Sequence, residues 1–219
     1  MSAFKKILAW MPQLLAGARI TILLTLCAVS AGILLGIFIA LGKMSKRKVI
    51  RSICSAYTFF FRGTPLLMQL YFVYYGLPEI NRALTINNQF LAAFIAYSLN
   101  SAAYCSEIIR AAFQSIDKGQ GEAAEVLGMN YFQTMRLVIL PQSIKRLVPP
   151  IGNEFIMLLK DASLVSLIAL ADITKVTRSI QSSTTSSLVY IPAMILYLII
   201  TAVFTLVFRR LEKRHSVYE

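Results

Sequence analysis

Charge is scarce in this chain, and so are the residues from which most active sites are built. Only 15% of its 219 residues are charged and 57% are hydrophobic, a balance far from that of a water-soluble domain. The single histidine, His215, lies in a charged C-terminal tail, and no nucleophile stands with a base, which argues against an enzyme. Cys27, Cys54 and Cys105 are odd in number, far apart and in or beside apolar segments. Neither a disulfide framework nor a metal site is indicated, and they read as small packing residues. No G-x-x-x-x-G-K-S/T occurs, so there is no phosphate-cradling loop for ATP. Acidic residues number ten against 22 Lys and Arg, a net charge of +12. Nucleic acid would suit that excess, but a membrane protein gathers Lys and Arg in cytoplasmic loops for topological reasons, which is the simpler account.

What the chain has in abundance is apolar sequence. Ile20 to Leu41 and Leu188 to Phe208 each run about 20 residues without a charge, enough for a helix to cross a hydrocarbon core of roughly 30 Å. The first is longer than a signal-peptide core, and Gly42-Lys43 follows it instead of a cleavage site, so it reads as a span. Three broken apolar segments remain. Ile53 to Leu77 is interrupted by Arg62-Gly63-Thr64-Pro65, Phe90 to Ile116 carries Glu107 and Arg110, and Leu147 to Ala171 carries Glu154, Lys160 and Asp161. The expectation is an all-α, polytopic membrane protein of about five transmembrane helices, a single domain over 1–219. Breaks and charges at membrane depth are tolerated where protein covers them or they line a wet cavity, so the three broken spans face the working interior.

The basic loops set the orientation. Thirteen Lys and Arg fall after span one, between spans three and four, and after span five, against six in the alternate regions. The N-terminus is therefore expected outside and the C-terminus in the cytoplasm. Lys5 and Lys6 argue mildly against this, and an amphipathic N-terminal segment lying on the membrane surface, anchored by Trp10, would reconcile them. The run Ser182 to Ser187 reads as a polar external turn.

The longest cytoplasmic connection, about 117–142, contains Glu122-Ala123-Ala124-Glu125-Val126-Leu127-Gly128, nine further residues, then Val138-Ile139-Leu140-Pro141. Its first part reads as a short helix stopped by Gly128, which tolerates positive φ. On the residues alone an exposed amphipathic linker explains it as well. The run resembles the EAA motif of ABC importer permeases: E-A-A, three residues, G, nine residues, I, one residue, L-P, with Val138 in place of Ile. The resemblance extends to Arg62-Gly63-Thr64-Pro65-Leu66-Leu67, to Asn100-Ser101-Ala102-Ala103-Tyr104 with Glu107-Ile108-Ile109-Arg110, and to Leu159-Lys160-Asp161-Ala162-Ser163-Leu164. Together these are similar to the histidine, arginine and glutamine permeases of the polar amino acid uptake branch.

The resemblance implies a type I ABC importer transmembrane fold in the bacterial plasma membrane. It also implies a coupling role for Glu122, Ala123, Ala124 and Gly128 in a groove of a separate ATPase. The expected complex has two permeases, two ATPases that bind ATP and Mg, and an extracytoplasmic amino-acid-binding protein. A chain with its own acidic site favours a homodimer, and no cofactor is expected in the chain itself. Two consecutive alanines would give a narrow helix face for close approach, and Glu122 would offer its charge to an arginine of the ATPase.

The intramembrane polar residues are the candidate substrate site. Counting 1.5 Å per residue places Asn100 and Glu154 near mid-membrane on spans running in opposite directions. Glu107 lies seven residues beyond Asn100, and Asp161 seven beyond Glu154, each pair on one face. A carboxylate in hydrocarbon needs a cation, water or a ligand. Glu107 has Arg110 one turn away and belongs to the general family pattern, and Asp161 adjoins Lys160, so internal pairing competes at both. Glu154 has no basic residue three or four positions away and is the stronger substrate candidate. Pro141, Pro149, Pro150 and Gly152 are expected to bend or unwind its helix, either as a hinge or to free backbone groups for substrate. The acidic set suits a basic amino acid such as arginine, lysine or histidine. The substrate carboxylate would meet freed amides or the amide of Asn100, with Arg62 a weaker candidate whose place beside Gly63-Thr64-Pro65 equally suits a kink. The aromatics from Tyr57 to Tyr75 read chiefly as helix packing. The rival reading is an ion-coupled secondary transporter or channel in which the carboxylates carry protons or cations.

Overall fold

The computed structural model describes residues 3–215; the side chains of residues 1–4 and 214–219, Arg214 and His215 among them, lie outside the described residues. Ten α-helices and no strand occur among the described residues. Helix α1, Ala3–Met44, is a single 42-residue rod. From it α2, Lys48–Gly63, folds back through a three-residue link. A break at Thr64 and Pro65 leads to α3, Leu66–Tyr71, then a π-helical turn over Phe72–Gly76 and the short α4, Leu77–Ile80. Next comes α5, Gln89–Gln114. Two short helices follow, α6, Lys118–Val126, and α7, Tyr131–Thr134, and a π-helical turn over Met135–Ile139 enters α8, Leu140–Asp161. A tight 3-10 stretch, Ala162–Ile168, ends on Ala169 in the left-handed conformation (φ 65°). The chain closes with α9, Ile173–Thr184, and α10, Tyr190–His215.

Close packing of small residues sets the centre. In lipid, helices associate through van der Waals contact and side-chain hydrogen bonds, so small residues at the seam let backbones approach. A Cβ at Gly32 would stand 2.8 Å from that of Ser101, and one at Gly36 2.9 Å from that of Cys105. The offset along the two helices is the same, so α1 and α5 run parallel in one direction. Helix α8 runs against α5: Ser101 meets Glu154, and the Tyr97 hydroxyl donates to the Asp161 carbonyl at 2.7 Å. Helix α10 runs against α8, since Gly152 abuts Phe208 while Phe155 stacks on Phe204 with ring centroids 4.5 Å apart.

Three expectations need correction. Trp10 is not a surface anchor: α1 continues straight through it, and Trp10 is buried with Leu14, Ile173, Ile180 and Val189. The segment after Ala171, where only a polar turn at Ser182 to Ser187 was expected, forms α9, which takes in Ser182 to Thr184. The buried Asp172 caps it by accepting from Thr174 N at 2.9 Å and Lys175 N at 2.8 Å, satisfying two of the amides that a helix start leaves open. Helix α8 is neither broken nor unwound by its prolines, for Pro149 and Pro150 both lie inside one continuous helix. Membrane helices tolerate such residues when neighbouring helices hold the segment, and here Phe208 fills the space beside Gly152. The discontinuity comes later, in the 3-10 stretch after Asp161. Among the described residues two helical stretches, Lys5–Met44 and Ser187–Lys213, are long and apolar enough to cross a membrane.

Candidate functional site

A cavity of about 350 Å³ opens where the break after α2 faces the middle of α5 and the second half of α8. Arg62, Pro65, Asn100, Tyr104, Glu154 and Asp161 line it. The break is a consequence of Pro65. Without an N–H it cannot donate to the carbonyl of Phe61 four residues back, which at membrane depth needs another donor. Asn100 Nδ2 donates to that carbonyl at 3.0 Å and Gln69 Nε2 at 2.9 Å. Gln69 also donates to Thr64 Oγ1 at 2.8 Å and accepts from Asn100 at 3.0 Å. Both N–H bonds of the Asn100 amide are thereby given to protein. Asn100 forms a wall of the cavity and fixes its rim, and the expectation that its amide receives a substrate carboxylate is corrected.

Glu154 is buried, 6% exposed, and accepts a hydrogen bond from Ser101 Oγ at 3.1 Å. Ser101 is itself fully buried against Gly32 of α1. Asp161, the last residue of α8, is exposed to the cavity, and among the described residues no ion pair engages it. Lys160 neighbours Asp161 in sequence and acts on its charge through space, but forms no close ion pair with it. The Arg62 guanidinium lies 5.3 Å from the Tyr104 ring centroid, a cation–π arrangement that holds the charge at the cavity wall. Glu107 stands apart. It pairs with Lys43, which is also 2.9 Å from Thr58 Oγ1, and with Arg110 through Oε2 at 2.6 and 2.9 Å. It borders a different hollow with Arg146 and Pro150. Of the five substrate candidates, the fold brings together Arg62, Asn100, Glu154 and Asp161 and leaves Glu107 as a structural ion pair.

Sequence reasoning gave no role to Ser101, Tyr104, Gln69 or Lys43. Ser101 and Tyr104 lie within the quoted Asn100–Tyr104 run and Lys43 follows the first apolar run, but nothing in the sequence names their partners.

Caps set the two short helices of the connection 117–142. Asp117 accepts from Gly119 N at 2.6 Å to begin α6, Gly128 ends it with φ +75°, and Asn130 and Gln133 form a reciprocal capping box at α7. Gln142 of α8 donates to Gln120 at 3.2 Å and ties α6 to the helix that carries Glu154. Ala123 is outward while Ala124 is buried, 3% exposed. Successive helical positions differ by about 100°, so the two alanines cannot share one docking face as expected. The outward apolar surface is instead completed by Val126, Leu127, Tyr131 and Phe132, which are 68–87% exposed.

Residues 32–217 match the family described as the binding-protein-dependent transport system inner membrane component. The chain belongs to that family. This permease is 40% identical to the L-cystine transport system permease protein TcyB of Bacillus subtilis, over 94% of its own length and 88% of the relative's. It is 39% identical to the arginine transport system permease protein ArtQ of the same organism, covering 96% of each. It is 33% identical to the glutamine transport system permease protein GlnP of Escherichia coli, covering 94% of each. Among solved structures it superimposes on an amino acid ABC transporter with histidines at TM-score 0.90 and 41% identity, covering 98% and 99% of the two chains. A chain of the MetNI methionine ABC transporter matches at TM-score 0.78 and 17% identity, covering 94% and 97%, which speaks to the fold alone. The protein is a permease subunit of an amino acid ABC importer, an inner membrane component with the type I importer fold, and not the ATPase of such a system. The ion-coupled carrier or channel is set aside.

Proposed function

We propose that this permease carries a basic amino acid, and the charges of its cavity are the observation that supports this. The lining holds two carboxylates, Glu154 and Asp161, and one guanidinium, Arg62. Arginine or lysine brings the opposite set, two cations and one carboxylate, so each charge finds a counterpart once water is excluded. Glu154 and Asp161 take the ammonium and the side-chain cation, and Arg62 takes the carboxylate. The volume of about 350 Å³ lies in the usual range for small-molecule sites. The relative named for arginine transport and the neighbour solved with histidines agree with a basic substrate. The relatives named for cystine and glutamine favour a second reading, a neutral polar amino acid, for which one of the two carboxylates would be in excess.

In this reading the chain is one permease domain that crosses the membrane five times, with its N-terminus outside. The loop 117–142 docks a cytoplasmic ATPase through Glu122, Ala123, Val126 and Leu127, while Ala124 and Gly128 shape the docking helix. ATP and Mg²⁺ are bound by that ATPase. Two copies of the permease form the pathway, and an extracytoplasmic binding protein delivers the substrate. The test is uptake by proteoliposomes containing the permease and its ATPase, challenged with arginine, lysine, histidine and glutamine. Glu154→Gln is expected to lower arginine uptake by more than about tenfold, as loss of a desolvated charge partner does, with ATP hydrolysis retained. A wild-type preference for glutamine would remove the charge argument.

A further inference from the structure

Apart from the cavity that Arg62 and Glu154 line, a groove of about 490 Å³ runs between α1 and α10. Its walls are Ile22, Leu23 and Leu26 on α1 and Leu196 and Ile200 on α10, and of its lining residues only Arg19 is charged. Leu23 and Leu26 are 45% and 43% exposed, so the groove is open along its side. Arg19 is exposed, and among the described residues no acidic side chain pairs with it. It sits immediately before the uncharged run that begins at Ile20, and about 20 such residues suffice to cross the hydrocarbon, which puts Arg19 at the start of that crossing.

From these features we infer that the groove is a binding site for one anionic phospholipid, with the phosphate on the Arg19 guanidinium and an acyl chain between α1 and α10. The geometry is matched to a lipid. From Arg19 to Leu26 the helix advances roughly 10 Å, about two thirds of the depth of one leaflet's hydrocarbon, roughly 15 Å. A guanidinium at the membrane boundary needs an anion, and a phosphate offers it the planar, two-pronged pairing that arginine makes best. Two helix walls give an acyl chain more contact than a single lipid-facing helix does. Charge complementarity at one end and an apolar trough at the other identify the occupant as a lipid with net negative charge, in the leaflet at the N-terminal end of α1.

The experiment is native mass spectrometry of the permease–ATPase complex released from nanodiscs of phosphatidylglycerol or of phosphatidylcholine with identical acyl chains. The wild-type complex is expected to retain phosphatidylglycerol in preference to phosphatidylcholine. Arg19→Gln should lower that retention about tenfold, the loss typical of one charge-assisted pair, and Arg19→Lys should restore part of it. Ile200→Trp fills the trough and should also displace the lipid with Arg19 intact, which keeps the test decisive if Arg19→Gln fails to assemble. Equal retention of the two lipids would overturn the inference. So would retention unchanged by Arg19→Gln, or a wild-type groove that holds no lipid because a second protein chain covers it.

Discussion

Pro65 leaves the carbonyl of Phe61 without its helical donor, and Asn100 and Gln69 supply donors from elsewhere. The shape of the cavity therefore depends on a hydrogen-bonded knot that does not itself carry the substrate's charge. Asn100→Leu should cost about 1–3 kcal/mol, the usual penalty for a buried polar group left short of partners, read as a lower Tm in detergent. It should slow uptake of every substrate alike, whereas Glu154→Gln changes the order of preference. Glu107→Gln should lower Tm by weakening the ties to Lys43 and Arg110 and leave that order unchanged; a shift in the order would place Glu107 in the pathway. Glu154, Asp161 and Arg62 were legible in the sequence because charge in an apolar run always needs an explanation. Ser101, Gln69 and Lys43 were not, because their partners lie 53, 31 and 64 residues away, and no local spacing encodes a contact between different helices.

At the scale of elements, the seam between α1 and α5 positions Ser101 and through it Glu154. Gly32→Val would drive a side chain into Ser101, where even a Cβ meets the neighbouring Cβ at 2.8 Å. Overpacking of this kind costs about 1–3 kcal/mol, so a fall in Tm should come with reduced uptake of cationic substrate; full activity would mean that the seam does not control the site. Gly128 adopts φ +75° at the end of α6. Gly128→Val there should cost about 1–2 kcal/mol of backbone strain and show as weakened ATPase stimulation. The two long apolar spans, Lys5–Met44 and Ser187–Lys213, were readable from their length and hydropathy. Helix α9 was missed because nine of the twelve residues of Ile173–Thr184 are polar and its start depends on a buried aspartate cap. The prolines of α8 misled for the converse reason: their local preference to interrupt a helix was plain, and the packing of Phe208 beside Gly152 in the continuous helix was not.

For the whole molecule, the cavity and the loop 117–142, in the proposed reading the substrate site and the ATPase dock, lie toward opposite ends of α8. Leu127 is 79% exposed among other outward apolar side chains on that loop. Leu127→Glu should leave the permease folded and its lipid-facing surface unaltered but abolish co-purification with the ATPase and substrate-stimulated ATP hydrolysis. Retained coupling would place the contact elsewhere. The 22 residues of α8 form a stiff beam roughly 33 Å long. Pro149 and Pro150 withhold two amides from the middle of that beam, and Phe208, seated beside Gly152, acts as its splint. In the proposed reading, a tilt imposed at the N-terminal end of α8 is thus shared with α10, and Glu154 and Asp161 swing together at the other end, opening or closing their grip on the cation in one stroke.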